Sequence, residues 1–136
     1  MGEVYLDLSD FDKALDYFHQ ALNIYKEKFG DNINQRNIAK CYHLIGQVYL
    51  KQNDANRALE YFHLTLNMWE ITLIDNHPDL ALCTENIAHA YLLKSEYRDA
   101  LKYFSRTLNI YEKRLPLNDA KIIDIQRLLD NTKEKG

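Results

Sequence analysis

The chain repeats itself. Residues 11–30 read FDKALDYFHQALNIYKEKFG, residues 55–74 read ANRALEYFHLTLNMWEITLI, and residues 97–116 read YRDALKYFSRTLNIYEKRLP. The shared Ala-Leu-x-Tyr-Phe core starts at Ala14, Ala58 and Ala100, in steps of 44 and 42 residues. Self-similarity at a period of about 20–50 residues marks a stacked repeat array rather than one domain closed around a catalytic cleft. Each unit of such an array supplies part of a core and relies on its neighbours for the rest. The extended surface that results commonly binds other proteins.

Local patterning resolves each unit into two helices. Ala58, Leu59, Phe62, Leu66 and Trp69 recur at spacings of three and four, the apolar stripe of a helix. Ala14, Leu15, Phe18, Leu22 and Tyr25 do the same in the first copy, and Ala100, Leu101, Phe104, Leu108 and Tyr111 in the third. A helix precedes the later copies. Ile38–Lys51 carries Ile38, Cys41, Tyr42, Ile45 and Tyr49 on one side, and Leu80–Lys94 carries Leu80, Cys83, Ile87, Ala88 and Tyr91.

Short polar turns close each pair: Leu8-Ser9-Asp10, Gln52-Asn53-Asp54 and Lys94-Ser95-Glu96. The polar segments Gly30–Asn37 and Asp75–Asp79 join the pairs, and Pro78 suits the opening turn of a helix. In Asn118–Lys135, Asp119 can cap a helix whose Ile122, Ile125, Leu128 and Leu129 share a face. Its other residues are polar, as expected of a terminal capping helix. Aligning Tyr5 with Tyr49 and Tyr91 puts Met1 about two turns inside the first helix of its unit. The first unit therefore reads as shortened, with part of the apolar face of Phe11–Phe29 left exposed. The expected division is one array over 1–136: a truncated first repeat (1–30), a second (31–74), a third (75–116) and a capping helix (117–136).

Composition excludes several function classes. The apolar share of 46% is ordinary for a globular chain, and no apolar run reaches the ~18 residues that a membrane span needs. No signal peptide is visible, and Leu6 occupies the position where a myristoylation motif wants Ser or Thr. The net charge of −3 is dispersed, so no basic footprint for nucleic acid exists. Cys41 and Cys83 are 42 residues apart, at equivalent places in successive units. Packed helices lie about 10 Å apart, too far for a disulfide. Both are expected to be buried thiols of a reducing, cytoplasmic compartment.

Catalytic and cofactor readings find no support. His19 and His63 are equivalent positions, matched by Ser105 in the third unit, and are expected to be exposed; His77 lies in a linker and suits a turn. No metal-binding, nucleophile-elbow or phosphate-loop pattern occurs, so no cofactor, metal or catalytic residue is expected. The ten tyrosines recur mostly at the repeat spacing, which assigns them to packing rather than to base stacking.

The second unit reads Tyr42-x2-Ile45-Gly46-x2-Tyr49 and then Ala58-x3-Phe62; the third reads Thr84-x2-Ile87-Ala88-x2-Tyr91 and then Ala100-x3-Phe104; the first has Gly2-x2-Tyr5 and then Ala14-x3-Phe18. This pattern resembles the tetratricopeptide repeat. The longer period, the Asn76-His77-Pro78 linker and the Leu-Asn-Ile-Tyr endings are similar to the kinesin-light-chain type. The resemblance implies an all-α, right-handed solenoid of antiparallel helix hairpins. Gly46 and Ala88 would be small where paired helices cross, and Tyr and Phe would fill the gaps between units.

It also implies a concave groove lined by the first helix of each pair, holding an extended peptide. Lys40, His43, Gln47 and Lys51 form one stripe in the second unit; Glu85, Asn86 and His89, flanked by Leu82 and Leu93, form the matching stripe in the third. Glu3 and Asp7 continue it in the first. Asn86-Ile87-Ala88 is similar to the Asn-Leu-Ala triplet of kinesin light chains, in which Asn grips peptide backbone; Leu44 interrupts that ladder in the second unit. The expected function is a non-catalytic scaffold or adaptor that binds a protein or peptide. Two alternatives stand beside it: an accessory repeat region of a larger enzyme or signalling protein, and a module that self-associates through the edge near Met1.

Overall fold

The apolar stripes form helices where the periodicity placed them. A computed structural model describes residues 11–29, 36–72 and 77–135. Six helices run α1 (Phe11–Phe29), α2 (Arg36–Lys51), α3 (Ala55–Thr72), α4 (Pro78–Leu93), α5 (Tyr97–Arg114) and α6 (Ala120–Lys135). There is no strand among the described residues, and the chain is all-α. No described helix is long and apolar enough to cross a membrane. The expected turn at Leu8-Ser9-Asp10, the stripe positions Glu3 and Asp7, the anchor Tyr5 and most of the Gly30–Asn37 linker lie outside the described residues.

The helices fall into two units, 1–72 and 73–136. In the first, α2 and α3 form a hairpin and α1 packs on α2; in the second, α4 and α5 form the hairpin and α6 packs on α5. The hairpin turns are alike. Asn53 (φ 63°) and Ser95 (φ 60°) hold the left-handed conformation that ends the helix before them. Side-chain caps start other helices: Asp54 Oδ1 accepts from the Arg57 N–H at 3.2 Å, and Asp119 Oδ1 from the Lys121 N–H at 2.9 Å. The turn role expected of His77 takes the same form, its Nδ1 accepting from the Asp79 N–H at 3.1 Å ahead of Pro78.

Packing follows the small-residue pattern. Ala58, Phe62, Ala100 and Phe104 are fully buried. A Cβ on Gly46 would come within 2.7 Å of two Phe62 ring carbons, so the α2–α3 crossing requires glycine as packed. Cys41 and Cys83 are free and buried, and burial pushes the Cys41 thiol up, with Lys40 opposing weakly. In α6, Ile122, Ile125, Leu129 and Thr132 are buried and Leu128 is half-buried. In α1, Phe18 and Leu22 are buried while Ile24 is 60% exposed.

The aromatic rings differ from expectation. Tyr49 stacks on Tyr61 of its own hairpin at 5.7 Å, and Tyr91 on Tyr103 of its own at 5.7 Å. These tyrosines, and Phe62 against Gly46, pack inside hairpins, and Tyr61 also reaches His19 of the preceding repeat. The ring is long enough to lie across the facing helix of its own pair. Burial, then the neighbouring rings Tyr49 and Tyr42, raise the Tyr61 pKa; burial and Tyr103 raise that of Tyr91. His19 and His63 are half-buried, not exposed; the His19 ring meets Tyr61 edge-on at 6.3 Å.

Candidate functional site

Each hairpin uses one side of its first helix to receive the second, which leaves another side to solvent. On α2 the open side carries Lys40 and Lys51, both exposed, with half-buried Leu44 and Gln47 between them. On α4 it carries Leu82 (41% exposed) and Leu93 (45%), with half-buried Asn86 and His89 between them. Lys40 and Lys51 sit three turns apart, as do Leu82 and Leu93, about 16 Å along the helix. The two faces therefore have the same spacing and different ends: cationic on α2, apolar on α4.

Two of the expected stripe residues belong elsewhere. His43 is buried at 4% exposure, its ring edge-on to Phe62 at 5.6 Å and to Trp69 at 5.3 Å. It packs in the α2–α3 seam and presents no groove surface. Glu85, its equivalent on α4, also turns toward the partner helix. Tyr111 Oη donates to Glu85 Oε1 at 3.4 Å, and Glu85 Oε2 lies 3.7 Å from His89 Nε2. Burial first, then the Glu85 charge and this hydrogen bond, push the Tyr111 phenol up to about 12. The seam thus pairs His43 with Trp69 in one hairpin and Glu85 with Tyr111 in the other. Trp69 and Tyr111 were legible only as members of the apolar stripes; their 42-residue separation, equal to that of His43 and Glu85, was the available signal.

His89 bridges the two environments. Its ring meets Phe104 edge-on at 5.2 Å while 36% of its side chain stays exposed. Asn86, three residues earlier on the helix, has a carboxamide with both donor and acceptor atoms. Five of the seven stripe residues, Lys40, Gln47, Lys51, Asn86 and His89, keep accessible surface on the open faces. Chemically these faces offer hydrogen bonds, two ammonium groups and two leucine side chains. Among the described residues no group of three or more His, Cys, Asp or Glu is placed to hold a metal.

A model of the tetratricopeptide repeat matches residues 1–70 and again 37–113. A crystal structure from Podosopora anserina, described as a kinesin light chain with nearly identical TPR-like repeats, superposes with a TM-score of 0.85. It is 16% identical, and the match covers 98% of this chain and 63% of that one. A point variant of the same protein gives a TM-score of 0.85 at 16% identity, covering 98% of this chain and 62% of that one. This chain therefore spans less than two thirds of either structure, and at such identity the likeness speaks for the fold. No curated protein matches it in sequence.

Proposed function

The chain belongs to the tetratricopeptide repeat family, and from that premise we propose that it is a non-catalytic scaffold whose α2 and α4 open faces hold extended segments of partner proteins. The observation that carries this reading is the α4 face, where two exposed leucines bracket Asn86 and His89. Large apolar side chains left in water beside fixed polar groups are a common mark of an interaction surface.

The spacing sets the ligand. A separation of about 16 Å corresponds to roughly five residues of extended chain. A segment with apolar side chains that far apart places one on Leu82 and one on Leu93. Its intervening backbone then lies over Asn86, which can donate to a carbonyl and accept from an N–H. On α2 the lysines at the same separation favour carboxylate side chains instead. Exposed ion pairs contribute little to affinity, so Lys40 and Lys51 act mainly in selection and in the rate of encounter.

The test is selection of displayed random peptides on the whole chain, followed by fluorescence anisotropy with the variants Leu82→Ala, Asn86→Ala and Lys40→Ala. Leu82 and Lys40 are exposed and Asn86 is half-buried, and circular dichroism checks that the variants fold. Peptides whose affinity drops about tenfold with Leu82→Ala or Asn86→Ala support the assignment. Selected peptides indifferent to all three substitutions would remove it.

A further inference from the structure

The second helices of the repeats share their apolar residues but not their charges. Helices α1, α3 and α5 align on Ala14, Ala58 and Ala100. One exposed stripe of α1 carries Asp12, Asp16, Gln20, Asn23 and Glu27. The corresponding stripe of α5 carries Arg98, Lys102, Arg106, Asn109 and Lys113, all exposed except half-buried Arg106. With about 3.6 residues per turn, each set falls within about 80° of the helix circumference and runs about 22 Å along it. On α3 the same stripe has Asn56, Glu60, Leu64 and Asn67, also exposed and with little charge.

The inversion reaches the edges of the stripe. Lys13 and Lys26 flank it on α1, and Asp99 and Glu112 hold those two places on α5. Asp12, Lys13, Asp16, Lys26 and Glu27 thus meet the opposite sign at five corresponding positions, Arg98, Asp99, Lys102, Glu112 and Lys113. Each helix keeps one sign on its stripe and puts the other at the edges. Local contacts leave the charges at the surface. Asp16 Oδ2 accepts from Gln20 Nε2 at 3.2 Å within its own stripe, and the Lys102 and Arg106 cations lie 5.6 and 5.5 Å from the Tyr103 ring. A following hairpin does not cover this face, because α3 precedes one and exposes the same positions.

We infer that the basic stripe of α5 binds the acidic stripe of α1 in a second copy of this chain. The occupant follows from the charge complementarity. Run parallel and in register, the two helices set Asp12 beside Arg98, Asp16 beside Lys102 and Glu27 beside Lys113. Asn23 and Asn109 then meet between them, each able to donate and accept. An antiparallel arrangement keeps two of the three ion pairs and sets Asp16 and Lys102 against asparagines. Two α5 stripes, or two α1 stripes, repel each other. Each copy carries both faces, so the contact can close a pair or extend a row of copies. Exposed ion pairs are individually weak and are screened by salt, which makes the association weak and dependent on ionic strength. The contact uses no residue of α2 or α4 and does not rest on their open faces.

The test is sedimentation equilibrium on the whole chain. In about 0.01 M salt, where charges act over about 30 Å, the average mass is expected to exceed that of one chain as concentration approaches about 1 mM. In about 1 M salt, where the reach falls to about 3 Å, it should return to one chain. Lys102→Glu with Lys113→Glu, and separately Asp16→Lys with Glu27→Lys, should each weaken association at least about tenfold. All four positions are exposed, and circular dichroism checks folding. Should a double variant fail to fold, the single changes Lys113→Glu and Glu27→Lys run the same comparison. Mixed in equal amounts, the two variants should associate again, because every pair between unlike copies regains opposite signs. The proposal is overturned by a mass that stays at one chain throughout, by association that persists in about 1 M salt or in either variant alone, or by a mixture that associates no better than its parts.

Discussion

The side-chain oxygens of Thr84 and Thr107 lie 2.7 Å apart, both fully buried, and join α4 to α5. Thr107 also reaches the Tyr103 carbonyl at 2.9 Å and Thr84 the Ala81 carbonyl at 3.0 Å. Two hydroxyl protons thus serve three contacts. The other hairpin solves the same problem with one threonine. Thr65, equivalent to Thr107, donates to the Tyr61 carbonyl at 2.8 Å and faces the Ala39 carbonyl across the seam at 3.4 Å. Tyr42 occupies the place of Thr84 there and turns its ring to Tyr61, with centroids 5.9 Å apart.

Thr107→Val should destabilise by about 1–2 kcal/mol, since it removes the buried bonds to Thr84 and to the Tyr103 carbonyl. Thr84→Val together with Thr107→Val should cost less than the sum of the two single changes, because the contact between the hydroxyls is lost once rather than twice. Urea denaturation of the four proteins reads the coupling. Strict additivity would show that the two hydroxyls do not interact.

The glycine at the α2–α3 crossing gives a second expectation. Gly46→Ala gains about 1 kcal/mol of helix propensity but forces Phe62 aside, at a cost of about 1–3 kcal/mol. The net effect should be destabilising, and Phe62→Leu in the same chain should recover part of it. Trp69, the single tryptophan, is buried in this unit and reports its unfolding by fluorescence. A Gly46→Ala variant as stable as the parent would show that the ring has room to move.

The seam pairs should be exchangeable. Glu85→His or Tyr111→Trp alone breaks the carboxylate–phenol contact and should cost about 1–2 kcal/mol. Both together rebuild the His43–Trp69 arrangement and should cost at least about 0.5 kcal/mol less than the sum. Thermal melts of the set decide it. A double variant no better than additive would mean that each hairpin accepts only its own pair.

Tyr111 sets a pH dependence. Its phenol is held up from 10.0 to about 12, by burial first and the Glu85 carboxylate second. The folded state keeps this proton where the unfolded chain releases it. The corresponding stability is therefore complete below pH 10 and is lost as pH rises toward about 12. Denaturation curves through this range should fall more steeply for the parent than for Tyr111→Phe. Equal slopes would place the tyrosine in an ordinary environment.

Much of the fold was legible because its causes are local. The spacing of Ala58, Phe62, Leu66 and Trp69 dictates a helix wherever a core is available, and the Asn53 and Ser95 turns end helices through backbone conformation alone. The close helix crossing at Gly46 could be read from repeat spacing, but not that Phe62 packs against it. The tyrosine stacks could not, because a ring on a helix surface can reach its hairpin partner or the next unit with equal ease.

The candidate site was legible only in part, for a geometrical reason. Lys40, Leu44, Gln47 and Lys51 fall within about 40° of one line along α2, and His43 lies only about 60° from it. Glu85 stands in the same relation to Leu82, Asn86, His89 and Leu93. Periodicity cannot separate an open stripe from a seam so close beside it. The amino-acid sequence by itself determined the helices, their pairing into hairpins and the family of the chain, because those follow from near-neighbour chemistry repeated along it. Only the tertiary structure decided that His43 is buried against Trp69 and that Glu85, half-buried, bonds to Tyr111, because burial depends on which side of a helix its partner covers.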